Sequence, residues 1–98
     1  MSGGPGISSE GLDARRRRLL FRSWHRGIHE MDLAYGRFAD AHIAALSDAE
    51  LDDFEKLLEL RDQLVFDWIF GGQPMDAAFD TPVFRRLRAF HDGGKTIK

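Results

Sequence analysis

Cysteine is absent from the 98 residues, which excludes disulfides, thiolate nucleophiles and cysteine metal ligands and leaves the redox compartment undecided. Long apolar runs are missing too. None approaches the roughly 18 residues needed to span a bilayer, and the N-terminus lacks the basic-then-apolar order of a secretory signal. Its arginines superficially suit organelle targeting, but Glu10 and Asp13 argue against that, so a cytoplasmic protein is expected. No charge of one sign dominates. Fourteen Lys plus Arg against sixteen Asp plus Glu give a net charge of −2, which does not favour nucleic acid as a partner. No segment alternates as a strand, no glycine-rich phosphate cradle follows one, and no nucleophile elbow is present.

What is present is helical periodicity between two loose ends. Residues 1–11 are rich in Gly and Ser, and residues 93–98 are poor in apolar anchors, so both are expected to be flexible tails around one domain at 12–92. A domain of this size buries roughly 60% of its unfolded surface, enough for one thin core but not for a deep catalytic cleft.

A first helix is predicted over about 12–25, with Leu20, Phe21, Trp24 and Ile28 on one face. Arg15, Arg18, Arg22 and Arg26 fall on another face, open to three readings: a solvated surface, a dock for an acidic partner, or a nucleic-acid patch. A second helix spans about 30–45, with Gly36 inside it, a costly residue that close helix packing would explain. Ser47-Asp48-Ala49-Glu50 is a capping box opening a third helix to about Glu59. Beyond it the pattern allows one long helix, or a fresh one over 62–70 capped by Asp62. Gly71-Gly72-Gln73-Pro74 is a break, and Thr81-Pro82 starts a last helix over 81–91 that ends before Gly93. The fold class is all-α, a small compact bundle of four or five short helices. Trp24, Phe38, Phe54, Leu58, Trp68, Phe84 and Leu87 are the expected core.

The densest chemistry lies in Trp24-His25-Arg26-Gly27-Ile28-His29-Glu30-Met31-Asp32. Gly27 ends the first helix and leaves bare backbone where another molecule can approach. His25 and His29 have i,i+4 spacing, but no zincin-type Glu lies between them and Gly27 disrupts the helix that would align their rings. Glu30 and Asp32, two apart, do not face each other as paired carboxylates. Neither catalytic residues nor metal ligands are assigned, and a binding module is favoured over an enzyme.

Arg26-Gly27-Ile28-His29-Glu30-Met31-Asp32 resembles the Arg-Gly-x-x-Glu-(Leu/Met)-Asp signature of the succinate dehydrogenase assembly factor 2 family, whose bacterial members are small flavinylation factors also called SdhE. Leu57-Leu58-Glu59, Asp62, Val65-Phe66-Asp67-Trp68 and Gly72-Gln73-Pro74 resemble the family's second conserved stretch, and Arg18 to Trp24 resembles its alphaproteobacterial branch. The similarity covers about residues 15–92. It implies a five-helix assembly factor that binds the flavoprotein subunit of succinate dehydrogenase and promotes covalent attachment of FAD to a histidine there. Fumarate reductase flavoprotein is a second client in some bacteria. FAD belongs to the client, and no cofactor is assigned to this chain. The partner-binding residues implied are Arg22, His25, Arg26, Gly27, Glu30 and Asp32, with Arg26 and Glu30 at the surface. His25 departs from the Arg or Lys that many members carry, and the family proline near residues 61–62 is missing. No nucleic acid or membrane insertion is expected, and the free chain is expected to be monomeric. A general helical adaptor or regulatory module is the competing reading.

Overall fold

The computed structural model describes residues 11–97, with side chains described for 11–91. The expected N-terminal tail therefore lies, apart from Gly11, outside the described residues. Five α-helices make up the fold: α1 (Ala14–Trp24), α2 (His29–His42), α3 (Asp48–Leu58), α4 (Asp62–Phe70) and α5 (Pro82–Ile97). Two 3₁₀ turns, Ile43–Ala45 and Ala77–Phe79, carry the chain out of α2 and into α5. There is no strand among the described residues. None of their helices is long and apolar enough to cross a membrane.

Local side-chain chemistry sets two of the helix starts, those of α3 and α5. Ser47 Oγ accepts the Glu50 N–H at 3.2 Å, while Glu50 Oε1 accepts the Ser47 N–H at 2.8 Å, so two orphan donors are satisfied reciprocally. Thr81 Oγ1 accepts from Phe84 N at 3.1 Å, and Pro82 takes the first helical position, where its missing N–H is harmless. The ambiguous stretch resolves as a fresh helix at Asp62, but Asp62 is its first residue and not its cap; Arg61 holds that place in extended conformation. The carboxylate of Asp62 is engaged elsewhere. Helix α5 also runs past its expected stop, through Gly93 and Gly94 to Ile97. Two glycines weaken a helix by about 1 kcal/mol each without forbidding it.

The core joins all five helices. Phe38, Phe54, Phe84 and Leu87 are fully buried, and Leu58 and Trp68 nearly so. Tyr35 meets Phe54 edge-on at 5.9 Å, and Trp68 meets Phe84 edge-on at 6.1 Å. Helix α1 packs mainly on α2, and α5 on α3 and α2.

Two expectations for α1 are corrected. Trp24 is half-buried rather than buried. Its indole lies flat over Gly36, where an added Cβ would come within 2.3 Å of the ring, and its Nε1–H donates to Asp40 at 3.1 Å. Close packing does explain Gly36. Phe21, placed on the apolar face by periodicity, is 59% exposed. Leu19 and Ser23 are buried in its stead. Ser23 passes as apolar because its hydroxyl donates to the Leu19 carbonyl at 2.8 Å, leaving no unpaired group.

The arginine stripe turns out to be largely an internal ladder. Arg15 pairs with Asp52 at 2.6 Å and Glu55 at 3.0 Å, Arg22 lies 3.8 Å from Glu55, and Arg26 reaches Asp62 at 2.8 Å. Off the stripe, Arg16 donates to the carbonyls of Ile43, at 2.9 Å, and Leu46. Most of these charges dock α1 onto its own neighbours rather than facing solvent.

Candidate partner-binding site

The loop from His25 to Ile28 turns the chain between α1 and α2. Gly27 adopts φ +121°, a backbone conformation that L side chains rarely take, and nothing lies within 4 Å of the Cβ it lacks. Glycine is required here by the turn and not by a crowded neighbour within the chain. Its exposed backbone is bare.

Arg26 is not the surface group expected from sequence. Its side chain is 11% exposed and points inward. Nε and Nη2 donate to Asp62 Oδ1 at 3.0 and 2.8 Å, and Nη2 also donates to the Leu58 carbonyl at 2.7 Å. The guanidinium sits 5.2 Å from the centre of the Tyr35 ring. Each partner is physically apt. The Leu58 carbonyl is at the C-terminal end of α3, where orphan acceptors and negative dipole attract a cation. Asp62 lies in the first turn of α4, where a carboxylate is favoured. Tyr35 donates its own hydroxyl to the Leu57 carbonyl at 3.1 Å, and burial pushes its phenol well above the ordinary value, so it stays neutral beneath the cation.

Asp32 is a second brace. Its Oδ1 accepts the Arg26 backbone N–H at 2.5 Å, tying the loop to the first turn of α2. Arg26 and Asp32 therefore hold the loop's shape from within. Glu30, in the first turn of α2, is exposed, and so is His25. His25 stacks on Phe21 with ring centres 3.9 Å apart and planes 18° apart, and its Nδ1–H donates to the Phe21 carbonyl at 2.7 Å. Arg22, Arg26 and Gly27 line an open, shallow depression of about 650 Å³, closed on its far side by Leu58, Arg61 and Asp62.

The structure thus brings Arg22, Arg26 and Gly27 to one depression, places His25 and Glu30 on the adjoining surface, and turns Asp32 inward. It also explains why the two sequence stretches belong together: the Arg26 bonds to Leu58 and Asp62 join them. Sequence reasoning missed Asp62 as the partner of Arg26, because a carboxylate at a helix start reads as a cap. It missed Tyr35, which the helical spacing of Ala34 and Phe38 overshadowed. Among the described residues, no group of three His, Asp or Glu is placed to hold a metal ion.

Comparison with known proteins shows the chain's family. The family model described as flavinator of succinate dehydrogenase matches residues 17–91. The chain is 41% identical over 86 residues to the FAD assembly factor SdhE of Acetobacter pasteurianus, covering 88% of this chain and 79% of that protein. It is 39% identical over 61 residues to the mitochondrial succinate dehydrogenase assembly factor 2 of Debaryomyces hansenii, covering 62% of this chain and 43% of that protein. Against the counterpart of the same name in Dictyostelium discoideum it is 34% identical over 77 residues, covering 79% of this chain and 55% of that one. The chain thus spans less than two thirds of the length of these two mitochondrial relatives. No solved structure matches it. With the family model covering residues 17–91 and a relative 41% identical over most of both chains, the chain belongs to the succinate dehydrogenase flavinator family.

Proposed function

We propose that this chain is an assembly factor that binds the flavoprotein subunit of succinate dehydrogenase and promotes covalent attachment of FAD to it. Family membership and the likeness to an FAD assembly factor support this reading. The docking surface is the α1–α2 loop and its flanks. Arg22, His25, Gly27 and Glu30 are its contact residues, and Arg26 and Asp32 are positioning residues beneath it. The observation that carries the assignment is the internally braced loop: Arg26 is bonded to Asp62 and Leu58, while Gly27 and Glu30 stay exposed above it.

Such a surface suits a helper better than a catalyst. The bond-forming groups are the flavin and a histidine of the client. Holding those reacting atoms aligned raises the rate without a nucleophile on the helper. A rigid loop that keeps an open client conformation does this with little ordering cost on binding. The chain acts here as a chaperone and not as an enzyme.

A flavoprotein subunit of fumarate reductase is a second client class in this proposal, on the family resemblance, and a cytoplasmic setting follows from the bacterial kinship. The direct test is co-purification with an FAD-deficient succinate dehydrogenase flavoprotein subunit and release after flavin loading, repeated with the fumarate reductase subunit. Failure to associate with either subunit favours the general adaptor reading.

A further inference from the structure

Phe21 is the large hydrophobic side chain left exposed among the described residues, at 59%. It is not loose. Its ring is held face to face with His25, and His25 is itself fixed by its hydrogen bond to the Phe21 carbonyl. The pair forms a pre-ordered aromatic knob at the C-terminal end of α1, one residue before Arg26-Gly27. Its surroundings are cationic. Helix α1 contains no acidic residue. Arg17 and Arg18, four and three residues before Phe21, share its face and are exposed. Arg15 and Arg22 have Asp52 and Glu55 beside them, whereas no carboxylate pairs with Arg18 among the described residues.

We propose that Phe21, backed by His25, is an aromatic anchor that enters an apolar slot rimmed by carboxylates on the client flavoprotein subunit, next to the Gly27 contact. This rests on the function proposed above and names a contact the family signature does not contain. Charge complementarity selects the occupant. A second copy docking through the same face would set Arg17 and Arg18 against their own counterparts, like against like. A membrane surface would call for a broad apolar face, and here one ring stands among arginines. A single ordered aromatic in a cationic ring is instead the anatomy of an interface hot spot, where a rigid side chain loses little entropy on burial.

The test is calorimetric binding of the full chain to the FAD-deficient flavoprotein subunit. Phe21→Ala should weaken binding by about tenfold or more, with circular dichroism and thermal midpoint unchanged, since an exposed ring carries little folding energy. Phe21→Tyr should retain most of the affinity. Arg18→Glu should weaken binding and flatten its dependence on salt. If the wild-type chain does not bind the subunit, the functional reading and the anchor both fall. If it binds and Phe21→Ala binds equally well, the anchor alone falls. Equal binding by Arg18→Glu overturns the acidic rim. A change in sedimentation of the free chain on Phe21→Ala would assign the knob to self-association instead.

Discussion

One guanidinium, that of Arg26, touches the end of α3, the start of α4 and the face of Tyr35 on α2. Its pair with Asp62 is nearly dry, with side chains 11% and 13% exposed. Removing one member of such a pair strands the other, so Arg26→Ala should destabilise the fold by about 3 kcal/mol. Urea unfolding measures this, and an unchanged midpoint would show the latch to be dispensable. Arg26→Lys should recover little, since an ammonium cannot reproduce the fork reaching Asp62 and Leu58. A loss of client activity in Arg26 variants is then a loss of loop shape before it is a lost contact. Gly27 differs. With φ +121° and open space around it, Gly27→Ala should cost about 1–2 kcal/mol through backbone strain alone. Glu30 differs again, because it is exposed, and its substitution should leave stability within about 0.5 kcal/mol.

At the scale of elements, the α1–α2 pairing depends on the absence of one methyl group. A Cβ at residue 36 would lie 2.3 Å from the Trp24 ring, so Gly36→Ala must push the indole out or the helices apart. We expect a loss of about 1–3 kcal/mol and a disturbed Trp24 fluorescence; an unperturbed spectrum with full stability would contradict the packing. The same helix pair shows what sequence could and could not tell. Caps at Ser47 and Thr81 were legible because their hydrogen bonds close within four residues. Those caps and the Gly27 and Gly71-Gly72 breaks mark four helical segments, whereas the pattern leaves the division of the third at residues 59–62 open, and five helices come only with the family resemblance. The facing of α1 was not legible, because it depends on partners far along the chain. Arg15 and Arg22 look solvated until α3 supplies Asp52 and Glu55, and Ser23 looks polar until its hydroxyl is seen to bond backward. The loop's importance could be read from its motif, but the inward turn of Arg26 could not, since Asp62 lies 36 residues away.

Over the whole molecule, stability has a definite pH dependence. Partial burial and the nearby Arg86 depress His42 below its ordinary 6.5. The unfolded chain then takes up that proton first, so stability falls as pH drops through about 6.5. The Ser47 backbone N–H, together with Arg86, holds Glu50 below 4.5, and Arg16 and Arg85 hold Asp13 and Asp80 below 3.8. Their contributions are present above those values and are lost as pH falls below them. A thermal midpoint that declines in two acid stages, the first absent in His42→Gln, is expected; a midpoint flat between pH 7 and 5 in the wild type would contradict the His42 assignment. Trp68, 5% exposed between Phe79 and Phe84, should cost about 3–5 kcal/mol when cut to Ala, enough to unfold most of so small a domain. The central claim, however, concerns the loop as the client's docking surface, and it is tested most directly by covalent flavin fluorescence of the succinate dehydrogenase flavoprotein subunit in denaturing gels, with wild-type chain or Glu30→Ala supplied. We predict that Glu30→Ala stays fully folded by circular dichroism and leaves the subunit with markedly less covalent flavin; flavinylation at the wild-type rate by the folded variant would contradict the account.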